Sequence, residues 1–225
     1  MLNQLCEKIF VITTVDSERV DYVKNHLNDR KVEFEFFVAP FYGLINPHHP
    51  LHSPPQRESR PSISLTSAYY SIFEMCRIDG IKTVAVMEDD CFLLEDWEEK
   101  LYRFYNKLPQ NWDILNLGYH PYQQSHTVKD HINDLVYRPL DWHHTAHCMV
   151  VRDTAYTPFK HMVNHWNWHI ANDYVFNELY KRKEIRAYSP YEHIAYQLSY
   201  RKSLDELIHV KNTYVNFKSH LYNEL

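Results

Sequence analysis

The amino-acid sequence predicts one α/β domain with a mainly parallel central sheet covered by helices on both faces. Short, continuously apolar runs are typical of strands buried on both faces, and two of them stand at residues 8–13 and 83–87. Segments with apolar residues at helical spacing alternate with such runs, and this order favours a parallel sheet. The 225 residues suffice for one large core, and the hydrophobic fraction of 44% indicates a globular chain. We therefore expect a single domain over residues 1–225.

The predicted strands are the apolar or alternating segments. The first, KIFVIT, is a continuous apolar run, whereas the second alternates and places Val32, Phe34, Phe36 and Val38 on one face. The third, TVAVM, runs directly into three acidic residues. In chain order the predicted strands span residues 8–13, 32–38, 83–87, 112–117, 146–151 and 185–188.

The predicted helices have apolar residues three or four positions apart. Asp16 or Ser17 is a suitable cap for the first helix, and Gly80 ends the second. Asn172 or Asp173 begins the last. In chain order these helices span residues 17–28, 65–79, 96–108 and 172–181.

Two segments lack either pattern. Residues 40–61 contain six prolines and three histidines without periodicity, so we predict a long, mobile loop there. Residues 119–136 are polar and are also predicted to be a loop.

Composition and motifs exclude several classes of protein. A net charge of −5 disfavours binding to nucleic acid. With only three glycines, the sequence contains neither a dinucleotide-binding G-x-G-x-x-G nor a P-loop, so a bound phosphate must be neutralised by a metal or by basic side chains. The four cysteines form no C-x-x-C pair and are expected to be reduced. No apolar run approaches the roughly 18 residues of a membrane span, and the N-terminus does not resemble a signal peptide, so a cytoplasmic location is expected.

Three consecutive acids, Glu88, Asp89 and Asp90, follow the third predicted strand. Ligands of open α/β sheets bind beyond the carboxyl ends of the strands. Because side chains alternate along an extended segment, Glu88 and Asp90 form an acid-x-acid pair, and Asp89 points the other way. Mg²⁺ and Mn²⁺ prefer such oxygen ligands. The alternative is a solvated strand end, since acids also favour helix N-termini.

Five segments resemble glycosyltransferase family 25, the lipooligosaccharide and collagen galactosyltransferase family. They occur in the family's order, and together they extend over about residues 8–205. The segments are KIFVITTVDSER at 8–19, APFYG at 39–43, VMEDDCFL at 86–93, NWDILNLG at 111–118, and the stretch 190–203 with its Gln197 and Ser203.

The resemblance implies an A-type glycosyltransferase fold, which is Rossmann-like, and a metal-dependent inverting hexosyltransferase. The transferred hexose would be galactose or glucose, the donor a UDP-sugar and the acceptor a hydroxyl of a glycan or glycoconjugate. Residues 1–118 would form the nucleotide-sugar half, and residues 119–225 the acceptor half.

The chain departs from the family pattern at one motif. Where the family has Gly-Cys-x-x-Ser-His before the acidic strand, residues 64–69 read SLTSAY. This loss favours an alternative, a transferase-like fold that acts as a non-catalytic carbohydrate-binding module. Leu204 after Ser203 also leaves the family's closing Ser-Asp pair incomplete.

The resemblance assigns metal and nucleotide roles to particular residues. Asp90 is the expected direct ligand of Mn²⁺ or Mg²⁺, and Glu88 the second contact. Asp89 is expected at ribose or sugar hydroxyls. The nucleotide-binding residues implied by the resemblance are Thr13, Asp16, Arg19, Gln197 and Arg201. Arg19 would contact phosphate, although an exposed helix arginine is an equal alternative.

Two further roles are implied. Asp173 is the expected base that takes the proton of the acceptor hydroxyl, unless Asn172 or Asp173 only caps a helix. His193 is the expected late metal ligand, with a surface loop histidine as the alternative.

The 16 histidines raise a different hypothesis, a zinc-dependent hydrolase. Residues 161, 165 and 169 are histidines spaced to share one helical face, a geometry that zinc sites use. A second group precedes a predicted strand at 143, 144 and 147. The absence of H-E-x-x-H argues against this hypothesis, and Trp166 and Trp168 between the first histidines favour an aromatic acceptor-binding wall or a packed surface.

Overall fold

A computed structural model of the chain describes residues 1–40, 60–118, 129–139, 146–166, 168 and 170–197. The strands are β1 (Lys8–Thr13), β2 (Glu35–Val38), β3 (Thr83–Glu88), β4 (Cys91–Leu93), β5 (Ile114–Asn116), β6 (Lys129–His131), β7 (Val136–Pro139), β8 (Cys148–Arg152), β9 (Ala187–Pro190) and β10 (Ala195–Gln197). The helices are α1 (Leu2–Leu5), α2 (Val20–Asp29), α3 (Arg60–Asp79), α4 (Trp97–Tyr105), α5 (Tyr156–His165) and α6 (Asn172–Lys181).

Eight strands form one sheet in the order β2-β1-β3-β8-β5-β9-β7-β6, and β4 pairs separately with β10. Strands β1, β2 and β3 are mutually parallel, as are β5 and β9. Strand β8 runs antiparallel between β3 and β5, and β7 is antiparallel to both of its neighbours. All other strands of this sheet share one direction, so the mainly parallel sheet is confirmed.

Helices cover both faces of the sheet, as predicted. Successive residues of β3 point to opposite faces, so Val84 and Val86 pack in one core and Ala85 and Met87 in the other. The first core is completed by α3, α5 and α6, and the second by α1, α2 and α4. Because both faces of β3 are buried, its sequence is apolar throughout.

The carboxyl edge of the parallel strands gathers several chain segments. Strands β1 and β3 end side by side there, with Ile12 opposite Glu88. The antiparallel β8 begins at this edge, where the Glu88 N–H donates to the His147 carbonyl at 2.9 Å. Helix α5 follows β8 and therefore runs back toward the edge, and α6 begins there.

One strand prediction and one loop prediction are wrong. Strand β2 covers only four residues, and Val38 is 51% exposed although Val32 is buried, because β2 is the edge strand of the sheet. The predicted loop 119–136 contains β6 and the start of β7, which pair as a hairpin. Of the predicted loop 40–61, residues 41–59 lie outside the described residues, and α3 already begins at residue 60.

Helix ends were predicted with mixed success. Neither Asp16 nor Ser17 caps α2, which begins after Arg19 with no side-chain hydrogen bond to its first turn. Gly80 does end α3, in the left-handed conformation with φ of 72°. Helix α6 begins at Asn172 as predicted, whereas α5 was not predicted. Among the described residues, no helix combines the length and the apolar character needed to cross a bilayer.

Candidate active site

The three acids lie at the carboxyl edge of the sheet, where β3 ends. Glu88 is the last residue of β3, and Asp89 and Asp90 form the turn into β4. Asp90 is 1% exposed, whereas Glu88 and Asp89 are partly buried. The cluster therefore lies at the carboxyl end of a buried strand, as the sequence predicted.

Asp89 anchors the segment that follows β1. The hydroxyls of Thr13 and Ser17 donate to its Oδ2 at 2.9 and 2.5 Å. An Arg19 guanidinium nitrogen donates to Oδ1 at 3.0 Å. Both carboxylate oxygens thus have partners within the chain, which makes Asp89 an organiser of the loop between β1 and α2.

Asp90 is the acid with an unused oxygen. Its Oδ2 accepts a hydrogen bond from the Gln197 side-chain amide at 3.3 Å and lies 3.7 Å from the Arg19 guanidinium. Its Oδ1 is buried and has no hydrogen-bond partner among the described residues. Burial raises the pKa of Asp90 to about 7, although Arg19 lowers it in part. A buried carboxylate with an unused oxygen is costly unless something positive or donating meets it.

Glu88 adds to the negative charge at this edge. Burial raises the pKa of Glu88 well above its ordinary value, and the carboxylates of Asp90, Asp173 and Asp89 raise it further. Asp173, in the first turn of α6, therefore lies close enough for its charge to act on Glu88. The charges of four carboxylates act at this site, and Arg19 forms ion pairs with two of them, Asp89 and Asp90.

These residues fit a divalent cation, although no complete ligand set is preformed. Within the described ranges, no group of three or more His, Cys, Asp or Glu side chains is arranged to hold a metal ion. The unpartnered Asp90 Oδ1 nevertheless supplies a hard oxygen ligand next to a second carboxylate, Glu88. A metal with two protein ligands would complete its coordination with water and substrate phosphate, as Mg²⁺ commonly does.

The other predicted site residues have different positions. Asp16 is exposed in the loop after β1 and takes no part in the Asp89 hydrogen bonds. His193 is partly buried, and its ring lies 4.6 Å from that of Tyr196, so its metal role stays a prediction. Arg201 lies outside the described residues. Thr13, Arg19 and Gln197 all reach the acidic cluster, two through Asp89 and one through Asp90.

The sequence analysis did not predict two side-chain hydrogen bonds that hold β4, the strand that follows the acidic cluster. His26 of α2 accepts a hydrogen bond from the Leu93 N–H at its Nε2, at 2.9 Å. Arg30, one turn later, donates from Nε to the Leu93 carbonyl at 3.0 Å. The four-residue spacing of a histidine and an arginine was the only signal in the sequence, and it does not reveal a partner 63 or more residues away.

Gly118 is a second residue at the site whose role the sequence analysis did not predict. A β-carbon at Gly118 would lie 2.3 Å from the His147 Nε2 and 2.9 Å from the Ala195 carbonyl oxygen. His147 is fully buried beside Glu88, and Ala195 begins β10, which carries Gln197. Because Gly118 has no side chain, His147, which precedes β8, and the start of β10 can both pack against it.

Gly118→Ala should destabilise the protein by about 1–3 kcal/mol, because overpacking a fixed core site has that cost. Neither the buried His147 ring nor the Ala195 main chain has space to retreat. The expected fall in Tm is several degrees, on the order of 2–4 °C per kcal/mol for this chain length. Gly80→Asn is the control, since asparagine tolerates the left-handed conformation and a β-carbon there meets nothing within 4 Å. An unchanged Tm for Gly118→Ala would contradict the close approach.

The histidine groups behind the zinc hypothesis are only partly described. Residues 143, 144 and 169 lie outside the described residues. His161 and His165 lie on the exposed face of α5, one turn apart. The described part of the chain therefore contains no histidine-based metal cluster.

No known protein family matches the sequence, and no curated protein does so either. A solved glycosyltransferase involved in the glycosylation of the major capsid of PBCV-1 has a TM-score of 0.51 and 9% identity, over 91% of this chain and 98% of its own. The protein A197 from STIV has a TM-score of 0.47 and 14% identity, over 85% of both chains. An apo UDP-glucose pyrophosphorylase has a TM-score of 0.47 and 11% identity, over 94% and 99%. The first of these likenesses shows that the chain has an A-type glycosyltransferase fold, as predicted.

Proposed function

We propose that the chain is a metal-dependent inverting glycosyltransferase that moves a hexose, galactose or glucose, from a UDP-sugar to a hydroxyl of a glycan or glycoconjugate. The observation that carries the proposal is the buried Oδ1 of Asp90, which has no partner within the described ranges and lies beside Glu88 at the carboxyl edge of a mainly parallel sheet. Ligands of open α/β sheets bind at that edge. The cytoplasmic location predicted from the sequence belongs to the same proposal.

One structural likeness and one sequence resemblance support sugar transfer. A solved structure with the same fold is described as a glycosyltransferase, with nearly its whole length matched. The five segments that resemble glycosyltransferase family 25 include the acidic cluster, the Arg19 loop and Gln197. In this proposal residues 1–118 hold the nucleotide sugar and residues 119–225 hold the acceptor.

Asp90 would hold Mn²⁺ or Mg²⁺ through its Oδ1, and Glu88 would contact the ion directly or through water. The chemistry that such an ion supplies is neutralisation of the negative charge on the departing nucleoside diphosphate. Gln197 keeps Asp90 in place through its amide hydrogen bond. His193 remains a candidate for a further ligand.

Arg19 has the right position to bind the diphosphate. In the described structure it is shared between Asp89 and Asp90, at 3.0 and 3.7 Å. Guanidinium groups bind phosphate as well as carboxylate, because each anion offers two oxygens at the spacing of two guanidinium N–H donors. Arg19 would therefore donate some of its hydrogen bonds to the diphosphate, while the hydroxyls of Thr13 and Ser17 continue to donate to Asp89.

Asp173 is the proposed base. It would take the proton of the acceptor hydroxyl as that oxygen forms a bond to the anomeric carbon of the sugar. The bond between that carbon and the diphosphate breaks at the same time, and its electron pair leaves with UDP. Attack from the face opposite the leaving group inverts the anomeric carbon.

A thermal shift experiment with Mn²⁺, UDP, both together, and Zn²⁺ alone tests the proposal. A ligand that binds only the native state at 100 times its Kd stabilises by about 2.7 kcal/mol. For a chain of this length we expect a rise in Tm of about 5–10 °C when Mn²⁺ and UDP are added together. Stabilisation by Zn²⁺ alone would instead favour a zinc hydrolase. No shift with Mn²⁺ and UDP would contradict nucleotide-sugar transfer.

A further inference from the structure

The segment between α5 and α6 places aromatic side chains at the same edge of the sheet as the acidic cluster. Helix α5 returns to this edge after the antiparallel β8, and α6 leaves from it. The Thr66 hydroxyl of α3 donates to the Ile170 carbonyl at 3.1 Å and ties the segment to α3. Asp173 follows three residues later, and its charge acts on Glu88.

Trp168 of this segment and Tyr70 of α3 form an aromatic surface, and Trp166 precedes Trp168 by two residues. The rings of Tyr70 and Trp168 lie 4.7 Å apart between centroids. The Asn164 amide donates to the Tyr70 hydroxyl at 3.4 Å, and the Lys160 ammonium lies 5.3 Å from the Tyr70 ring centroid. All three aromatic side chains are partly buried and pack against the core from outside, so they are held in place while part of each remains accessible.

One feature of this surface is costly unless a ligand uses it. Trp168 has a φ of 65°, a left-handed conformation that is a genuine outlier for a bulky residue. The Trp168 N–H donates to the Val163 carbonyl at 3.0 Å and closes the end of α5, although a glycine at this position would adopt the same conformation without strain. Strained backbone of this kind concentrates at ligand-binding positions.

We propose that Tyr70 and Trp168 form a subsite for a sugar ring of the glycan acceptor, an inference that rests on the proposed function. A sugar ring has an apolar C–H face that suits the Trp168 indole face, and hydroxyl oxygens that suit the exposed Asn164 amide. Arg19 directly precedes α2, which packs on one face of the sheet, and forms an ion pair with Asp89. Asp173 lies in the first turn of α6, which packs on the opposite face, and its charge acts on Glu88. The diphosphate therefore belongs on the Arg19 side, which leaves the Asp173 side and its aromatic surface for the acceptor.

The test measures binding of the full chain to a printed array of several hundred glycans, for the native protein and for Trp168→Ala, without donor. Removal of one stacking ring should lower affinity for the glycans that bind by about tenfold. Trp168→Phe keeps a smaller ring and should lie between the two. Tyr102→Ala, an exposed ring on α4, is the matched control and should change nothing. Each variant is also assayed for its thermal shift with Mn²⁺ and UDP.

Loss of glycan binding in Trp168→Ala, with the shift by Mn²⁺ and UDP intact, supports the subsite. The same glycan profile for Trp168→Ala and native protein would overturn it, as would the absence of any bound glycan. If glycan binding depends on Trp168 but Mn²⁺ and UDP cause no shift in any protein, the subsite stands and the proposed transferase function fails.

Discussion

Asp90→Asn should lower the turnover of a UDP-sugar in the presence of Mn²⁺ by at least about 100-fold, because the variant removes the charged ligand proposed for the metal. Neutralisation of a departing diphosphate is worth several kcal/mol, and each 1.36 kcal/mol corresponds to a tenfold change in rate. The amide has the shape of the carboxylate, so its oxygen can still accept the hydrogen bond from Gln197. The measurement is the release of UDP from a panel of UDP-sugars.

Measurement of Tm distinguishes this loss of turnover from unfolding of the variant. Asp90 is buried with an unused oxygen, and burial raises its pKa, so the charged form is held at a cost. The neutral asparagine should therefore leave Tm unchanged or higher without metal. Asp153→Asn, at a surface carboxylate that pairs with Lys82, is the control and should retain native turnover. Equal turnover by Asp90→Asn and the native chain would remove Asp90 from the mechanism.

Asp173→Asn should lower kcat for transfer by about 10²–10⁴-fold, the contribution that a positioned general base usually makes. The amide oxygen of the variant could still accept the hydrogen bond that Asp173 takes from the Tyr174 N–H at 3.0 Å, so the first turn of α6 should persist. Donor binding does not require the base, so the thermal shift with Mn²⁺ and UDP should remain.

Glu178→Gln provides a matched control for this base on the same helix. Glu178 pairs with Lys181 and Arg182 at the far end of α6 and has no role in the proposed chemistry. It should keep native kcat. Native transfer by Asp173→Asn would show that another group accepts the proton.

The buried strands of the fold could be predicted from the sequence, and the short edge elements could not. Strands β1 and β3 are apolar because both of their faces are covered, which leaves a clear signal. Strands β4 and β10 have three residues each and pair across more than 100 positions, so no local pattern marks them. Helix α5 was not predicted. It tolerates Pro158 because in the first turn of a helix the missing N–H of proline costs little.

Two kinds of reasoning predicted where the polar residues of the site lie. The rule that ligands bind beyond the carboxyl ends of the strands placed the acidic cluster, and the family resemblance added Thr13 and Arg19, which do hydrogen-bond to Asp89. The strand rule could not assign roles within the cluster. Both carboxylate oxygens of Asp89 accept hydrogen bonds from the segment after β1, whereas one oxygen of Asp90 has no partner in the part of the chain that the structure describes. This difference depends on side-chain geometry across 70 residues or more.

The close contact at Gly118 had no signal in the sequence, because a glycine required by packing looks the same as one required by a turn. The hydrogen bonds of His26 and Arg30 with Leu93 had only a four-residue spacing as a signal, and that spacing does not identify the partner. Both features depend on partners that only the folded chain brings within reach.

Titration of Mn²⁺ into the protein, followed by the electron paramagnetic resonance signal of the free ion, tests the central claim most directly. With saturating UDP, the native chain should remove one Mn²⁺ per molecule from the free pool, and Asp90→Asn should remove none at the same concentrations. Equal binding of Mn²⁺ by both proteins, or no binding by the native chain with UDP present, would contradict a metal site at the end of β3.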